Sequence, residues 1–446
     1  AHSNLLITWY DAMTQTGAVN WQNALTAQNQ MFFQDGDTLV SDEMFLNFNW
    51  NATRLNNSSA LATSLGRSPY DLYAGIDVES NGYNTSVLWN AVFPEGAPHV
   101  TSIGFYRPEW THNSAASVAD FYARDNKFWV GQNGDPSDTT TGAQWKGVAN
   151  YIPANSPITT VPFATNFGTG QGHLYARAGE IVGTDEWNNL SLQDVLPTWR
   201  WIVRSDGTPL DVAIDFEDAY WGGSSLLVSG TLDATNDVLL YETNLDVASG
   251  QMLEVVFKPE VTGPTHMQIG FAFADAPTTF EYAATFDATT TDWQNVAIGL
   301  GAGNAGRTLA AISLRFLDDG SAAAYRMRIG QIALVGESSF PAAPSDLAVL
   351  AMTETAPDRA TLRLAWEPSP DPVAYYNVYH HHADGTVTWL GATPNTVYFV
   401  GDLAREGNEP ASQIDVAAVG PEFTYDLNAA STTVTWDRVF ANGFDP

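Results

Sequence analysis

The chain has 446 residues, 44% of them hydrophobic, with 15 Trp, 17 Tyr and 22 Phe, which excludes a disordered polypeptide, and no apolar run approaches the roughly 20 residues of a bilayer span. Eighteen basic residues against 50 acidic ones give a net charge of −32, and only Lys127, Lys146 and Lys258 are lysines, so the basic footprint that nucleic acid requires is missing. There is no cysteine, so disulfides and thiolate metal sites are excluded, while the redox compartment stays open.

Length alone predicts roughly three domains. The chain opens Ala1-His2-Ser3 without an initiator methionine, so it is expected to be processed, trimmed or incomplete. So acidic a surface reads first as solubility, which suits salty surroundings where charge repulsion is screened.

From Leu5 the sequence alternates apolar strand, polar loop and helical pattern four times. The strands are LLITWY (5–10), MFLNFNW (44–50), DLYAGIDVE (71–79) and VTSIGFYRPEW (100–110). The helical patterns are WQNALTAQNQMFF (21–33), SSALATSLG (58–66), SVLWNAVF (86–93) and ASVADFYARDNKFWV (116–130). Such alternation predicts parallel βαβ units.

Side chains alternate across a strand, so each strand has two faces. Thr8 and Tyr10 share a face, as do Phe45, Asn47 and Asn49, then Tyr73, Gly75, Asp77 and Glu79, and Ser102, Gly104 and Tyr106. The opposite faces, with Ile7, Trp9, Leu46, Phe48, Trp50, Ile76, Val78, Ile103 and Phe105, are apolar throughout. This is the pattern of (β/α)8 barrel strands, whose inner faces turn polar at the C-terminal mouth. Four units make half a barrel and would expose two parallel edges. A doubly wound open sheet is the alternative, but its Gly-rich phosphate turn is absent.

After about Phe167 short strands recur between Gly, Asp and Thr turns, among them WRWIVRS, MLEVVFKP, LAAISLRFL and YRMRIGQIALV. They predict a jelly-roll-like β-sandwich over 167–338. SSFPAAPSDLAV (338–349) reads as a linker. TLRLAWEPSP, AYYNVYHH, TVTWLGAT, TVYFVGDL and SQIDVAAVG predict a fibronectin type III-like module over 339–436, with Trp366 on its second strand, and a tail over 437–446.

The blocks TWYDAMTQTGAVNWQNAL, MFLNFNW, DLYAGIDVE, GFYRPEW, PFATNFGTGQG and WNNLSLQDVLPTWRW resemble, in order, the signature blocks of the family 85 glycoside hydrolases, the endo-β-N-acetylglucosaminidases. The later domains also resemble the accessory domains of bacterial members. The resemblance implies cleavage within the N,N′-diacetylchitobiose core of N-glycans, with high-mannose glycoproteins as the expected partner and no cofactor or metal. It also implies substrate-assisted chemistry: the sugar's 2-acetamido oxygen forms an oxazoline, a carboxyl serves as acid then base, and an Asn orients the acetamide.

The family's Asn-x-Glu pair stands at the end of the barrel strand before the block that begins here at Leu5. Only Ala1 to Asn4 precede that block in this sequence, so the acid/base is expected from a missing N-terminal barrel half, and the chain alone is expected to be inactive. The resemblance carries Tyr10 and Tyr106 over as supporting site tyrosines, and Trp21, Asn47, Phe48, Asn49, Asp77 and Trp110 as substrate-binding positions. Each has a plainer reading: a barrel-mouth tyrosine with a satisfied hydroxyl, a helix-packing Trp21, a structural Asp77, a Trp110 that caps the barrel. Asp11, Asp77 and Glu109 are the local carboxyls available to replace the missing acid.

A metal reading of His380, His381 and His382 fails on alternation, since neighbours on a strand point to opposite faces; an exposed hairpin is expected. Trp201 and Trp221 are expected first as buried core aromatics of the sandwich; they would serve as sugar platforms in a second reading, a non-enzymatic glycan-binding protein acting through its sandwiches. The tail RVFANGFDP (438–446) resembles a C-terminal signature of some secreted bacterial proteins and points to an extracellular or cell-surface location, with the cytoplasm as alternative.

Overall fold

A computed structural model describes residues 5–138, 140, 144–152, 155–199, 201–320, 323–336, 340–425 and 429–436. The expectations placed on Ala1–Asn4 and on the tail 437–446 lie outside the described residues. The chain divides into two compact units, Ala1–Ala154 and Asn155–Pro446.

In the first unit β1 (Thr8–Tyr10), β2 (Glu43–Leu46), β3 (Leu72–Asp77) and β4 (Ser102–Tyr106) form one parallel sheet in chain order. Tyr10 pairs with Phe45, Leu46 with Ala74 and Asp77 with Tyr106, so the C-terminal strand ends line up along one rim. Among the described residues neither β1 nor β4 pairs with a further strand. The apolar face is Met44, Leu46, Leu72, Ala74 and Ile76, packed against Leu55, Ala62, Trp89, Phe128 and Trp145.

Two of the expected helices form in full: α1 (Ala52–Ser64) and α4 (Val118–Trp129). Asn51 caps α1 by accepting the N–H of Arg54 at 3.0 Å, and Leu55, Ser58 and Ala62 are its buried residues. Ser117 caps α4 through the N–H of Asp120 at 3.1 Å, with Asp120 in the first turn and Lys127 in the last, as the helix dipole favours.

The other two do not. Residues 21–33 contain only a 3-10 turn, Gln30–Phe32. Asn29 explains much of this: its Oδ1 accepts the N–H of Thr26 at 2.8 Å and its amide donates to the Ala24 carbonyl at 2.9 Å. Such side-chain to backbone bonds compete with helix hydrogen bonds, and Asn23 adopts φ +55°. In 86–93 the helix α2 is reduced to Trp89–Val92, stopped before Pro94. A further short turn of helix, α3 (Trp110–Asn113), follows β4.

The second unit is antiparallel throughout its main sheets. A five-stranded sheet runs in the order Ile202–Ser205, Asn236–Asp246, Thr308–Phe316, Met267–Phe273, Glu281–Tyr282. A second sheet runs Asp211–Asp215, Ser225–Leu232, Ala323–Val335, Met252–Pro259, Gln294–Gly299, and Phe163–Thr165 also pairs with Ala323–Val335. That pairing puts Phe163–Thr165 in the second unit, so the boundary expected after 166 falls at 154/155. Leu240, Leu314 and Ile269 of the first sheet and Leu253, Val255 and Ile329 of the second share one core.

Towards the C-terminus, Ser345–Ala356, Arg359–Glu367 and Val397–Ala404 form a three-stranded sheet. Val387–Thr393, Tyr375–His381, Ala411–Val419 and Ala430–Thr435 form a four-stranded one. Trp366 and Trp436 are buried in the core these sheets share. The linker expected over 338–349 is shorter than it looked, because Ser345 already starts a 12-residue strand.

This second pair of sheets does not swing on a tether. Tyr175 stacks on Trp389 at 4.0 Å between centroids and 7° between planes. Asn377 Oδ1 accepts both the Tyr175 hydroxyl at 2.9 Å and the Trp389 indole N–H at 3.0 Å.

Candidate active site at the strand ends of the first unit

Tyr10 ends β1 and stands 39% exposed, its hydroxyl donating to Asn47 Oδ1 at 2.5 Å. Burial is the main cause that raises its pKa, and the neighbouring Asp11 carboxylate adds to it, while a hydrogen bond with Trp21 works the other way. The hydroxyl therefore keeps its proton across the neutral range and acts as a donor.

A line of rings crosses the face above the sheet. Tyr10 stacks on Phe45 at 5.8 Å, Phe45 meets Phe48 edge-on at 6.0 Å, and Phe48 lies 5.5 Å from Tyr106. Strand alternation assigns Phe48 to the apolar face, but β2 ends at Leu46; beyond it the alternation no longer applies and Phe48 turns to the site. Phe45 lies flat over two glycines: a Cβ on Gly75 would come 2.6 Å from its ring and a Cβ on Gly104 would also come 2.6 Å from it.

Deeper on the same face Glu43 accepts the Thr8 hydroxyl at 2.6 Å and the Tyr73 hydroxyl at 2.8 Å. Burial and then Glu43 push the Tyr73 pKa up to about 12, so Tyr73 too remains a neutral donor.

Of the remaining site candidates, Asn49 and Asp77 are exposed and line a cavity of about 310 Å³ with Phe48, Gly75, Ser86 and Leu88. Asp77 Oδ1 accepts the Glu79 N–H at 3.0 Å. Trp21 is 51% exposed, on a loop and not on the helix the sequence predicts, so the helix-packing reading fails for it. Trp110 opens α3, lies against Gly82 and Arg124, and meets Tyr83 edge-on at 5.2 Å. Its ring is committed to packing on one side.

Two of the three local carboxyls, Glu109 and Asp11, are engaged elsewhere. Glu109 bonds to Arg107, which lowers its pKa, and Arg107 also pairs with Glu79 at 2.8 Å. Asp11 is fully buried; burial raises its pKa, opposed by backbone N–H groups of Asn47, Asn23 and Ala24. Its carboxylate is thus turned to the backbone and away from the open face. Sequence reasoning missed Asn23, Glu43 and Tyr73 as parts of the site. Glu43 was the legible one, a charged residue on an inner strand face.

Outside the first unit the tryptophans follow the core reading, Trp221 fully and Trp201 in part. Trp221 is 3% exposed and its indole N–H bonds to the Tyr375 hydroxyl; Trp201 adopts φ +71° and packs on the core. Of the histidines, His380 is buried rather than part of an exposed hairpin. His381 bonds to Asp415 at 2.9 Å, and His382 to Glu406 at 2.9 Å and Thr388 at 2.7 Å. Among the described residues no three His, Asp or Glu side chains gather as a metal site, and no helix is long and apolar enough to cross a membrane.

Comparison with known proteins bears on this geometry. Residues 1–175 match Glycosyl hydrolase family 85, and residues 344–438 match the C-terminal domain of GH85 endohexosaminidases. The crystal structure of the glycoside hydrolase domain of Endo-D from Streptococcus pneumoniae R6 superposes with a TM-score of 0.86 at 29% identity, covering 96% of this chain and 68% of that one. The cytosolic endo-beta-N-acetylglucosaminidase of Gallus gallus is 29% identical over 237 residues, 51% of this chain and 27% of the relative. The Homo sapiens protein of the same name is 28% identical over 275 residues, 59% of this chain and 33% of the relative.

Sequence and fold thus define a glycoside hydrolase polypeptide. The chain belongs to glycosyl hydrolase family 85, the endo-β-N-acetylglucosaminidases. It spans only about a quarter to a third of the length of these curated relatives. The expected extracellular location is also corrected: the curated proteins it matches are cytosolic ones.

Proposed function

We propose that β1 to β4 are one side of a (β/α)8 barrel that cleaves the chitobiose core of high-mannose N-glycans, and that this chain supplies walls of its cleft. The jelly-roll-like and fibronectin type III-like sandwiches complete the proposed architecture as accessory domains. Two features support the barrel: parallel strands in chain order and apolar residues on the helix side. None of the four strand ends carries Asn-x-Glu, so the proton donor and the acetamide-orienting Asn come from polypeptide outside this sequence.

The observation that carries the reading is the Tyr10–Asn47 hydrogen bond at the rim, with Tyr106 reached through Phe45 and Phe48. A neutral Tyr10 hydroxyl is a donor suited to a sugar acetamide oxygen as it becomes nucleophilic. Asn47, Asn49 and Asp77 suit sugar hydroxyls, and the exposed face of Trp21 suits the apolar face of a pyranose. No step in this scheme calls on a cofactor.

The test is release of high-mannose glycan from a glycoprotein. This chain alone is expected to release none; the barrel completed by its Asn-x-Glu half is expected to release it, and Tyr10→Phe in that enzyme to slow release about a hundredfold. Robust release by the isolated chain would refute the reading. A purely glycan-binding role is disfavoured, because of its two platforms Trp221 is buried and Trp201 lies partly buried against the core.

A further inference from the structure

Three of the proposed substrate-binding positions, Trp21, Asn47 and Asn49, sit on two segments far apart in sequence that are joined by two residues buried behind the site. Asp11 follows Tyr10 directly. Its backbone N–H donates to the Phe45 carbonyl at 3.1 Å, continuing the sheet, and its Oδ2 accepts the N–H of Asn47 at 3.2 Å. The N–H groups of Asn23 and Ala24 lower its pKa from nearby, while its Oδ1 is buried with no hydrogen-bond partner among the described residues.

Asn23 completes the link. It is 8% exposed, its Oδ1 accepts the N–H of Asn49 at 2.9 Å, and its side-chain amide donates to the Trp21 carbonyl at 3.0 Å. It does so from φ +55°, a region that Asn tolerates better than most residues. No regular element holds Trp21: the helix expected there is absent, so its position depends on these contacts.

We propose that Asp11 and Asn23 form a buried polar node that positions Trp21, Asn47 and Asn49 against Tyr10 and so sets the sugar-binding geometry of this side of the cleft. Both are positioning residues, since neither faces the open cleft. A buried carboxylate that gathers backbone N–H groups is a rigid organiser, because each donor it loses is left unsatisfied. This inference rests on the function proposed above, and its test has an arm that does not.

The first arm is amide hydrogen exchange on this chain. Asp11→Asn turns an amide toward backbone N–H groups, and exchange at Asn47 is expected to quicken about tenfold or more. Asn23→Gly keeps the backbone conformation accessible and is expected to do the same at Asn49, whereas Asn23→Asp, which retains the acceptor, preserves protection there. Amides of α4 serve as the control and stay as in the wild type.

The second arm is kinetics of the completed barrel enzyme: each disrupting variant is expected to raise KM for a high-mannose glycoprotein about tenfold while kcat falls less than KM rises, and Asn23→Asp to recover most of the loss. Unchanged protection at Asn47 and Asn49 overturns the node. Lost protection with KM and kcat both unaltered overturns its positioning role. If wild-type completed enzyme releases no glycan while exchange responds as expected, the proposed function fails and the node itself is supported.

Discussion

Gly104→Ala tests how tightly the aromatic line across the sheet is seated. The added Cβ would lie 2.6 and 2.9 Å from two carbons of the Phe45 ring and 3.5 Å from Tyr73 Cβ. Carbon atoms are comfortable at about 3.5–4.0 Å, so the ring must retreat by about 1 Å. Tyr10 stacks on it at 5.8 Å, Phe48 meets its edge at 6.0 Å, and Gly75 leaves no spare room beneath it.

Overpacking of this kind costs about 1–3 kcal/mol, and the lost freedom of the unfolded chain returns about 0.4–1 kcal/mol. We expect a net destabilisation of about 1–2 kcal/mol. For a unit of this size that lowers the melting midpoint by about 3–6 °C. Gly75→Ala should cost more, because its Cβ would also lie 2.5 Å from the Leu46 carbonyl oxygen, which backbone pairing holds in place. Differential scanning calorimetry of the single variants, of Phe45→Leu and of the double variant closes a mutant cycle. With the ring gone, Gly104→Ala should lose at least about 1 kcal/mol of its cost. A Gly104→Ala protein as stable as wild type, or equally destabilised with and without the Phe45 ring, would refute the packing argument.

Trp221→Phe removes the indole that donates to Tyr375 and touches Phe423 and Tyr425; we expect a loss of about 2 kcal/mol in denaturant midpoint experiments, and a change under about 0.5 kcal/mol would show that the contact is dispensable. Asp194 has its carboxyl pushed up to about 6 by burial, against N–H bonds from Asn166 and Gly168. Because the folded value exceeds the unfolded one, its stabilising contribution is complete below about pH 4 and disappears as pH rises through about 6. Relative to Asp194→Asn, the wild type should therefore lose on the order of 2 kcal/mol between pH 4 and pH 7 in urea titrations; parallel pH profiles would count against the assignment. Trp21→Ala should leave the melting midpoint within about 1 °C of wild type, since the ring is half exposed, yet weaken glycan binding to the completed enzyme roughly tenfold by calorimetric titration. Equal affinity would remove Trp21 from the cleft.

Much of the first unit was legible because its pattern is local. Leu46, Ala74 and Ile76 are apolar at every second position, and the strands they mark form the apolar face of the sheet. Asn51 and Ser117 cap α1 and α4 by short-range bonds. Where periodicity misled, a side chain had found another partner. WQNALTAQNQMFF has helical spacing, but Asn29 bonds the backbone at Thr26 and Ala24. Phe48 obeyed alternation only while the strand lasted. For Trp201 and Trp221 the sequence offered a platform beside the core default, since burial of an aromatic depends on what arrives from elsewhere in the chain.

By itself the sequence determined the strand and helix rhythm of the first unit, the β character of the rest, the absence of cysteine chemistry and the family resemblance that the comparisons bear out. Each of these resides in spacing or residue type along a short stretch. Only the tertiary structure decided that Phe45 lies across glycines of two neighbouring strands, that Asp11 and Asn23 tie the loop of Trp21 to the end of β2, and that Tyr175, Asn377 and Trp389 join the sheets of the second unit. These contacts span from 12 to 202 residues of chain, and no local preference encodes which distant side chain will fill a given space.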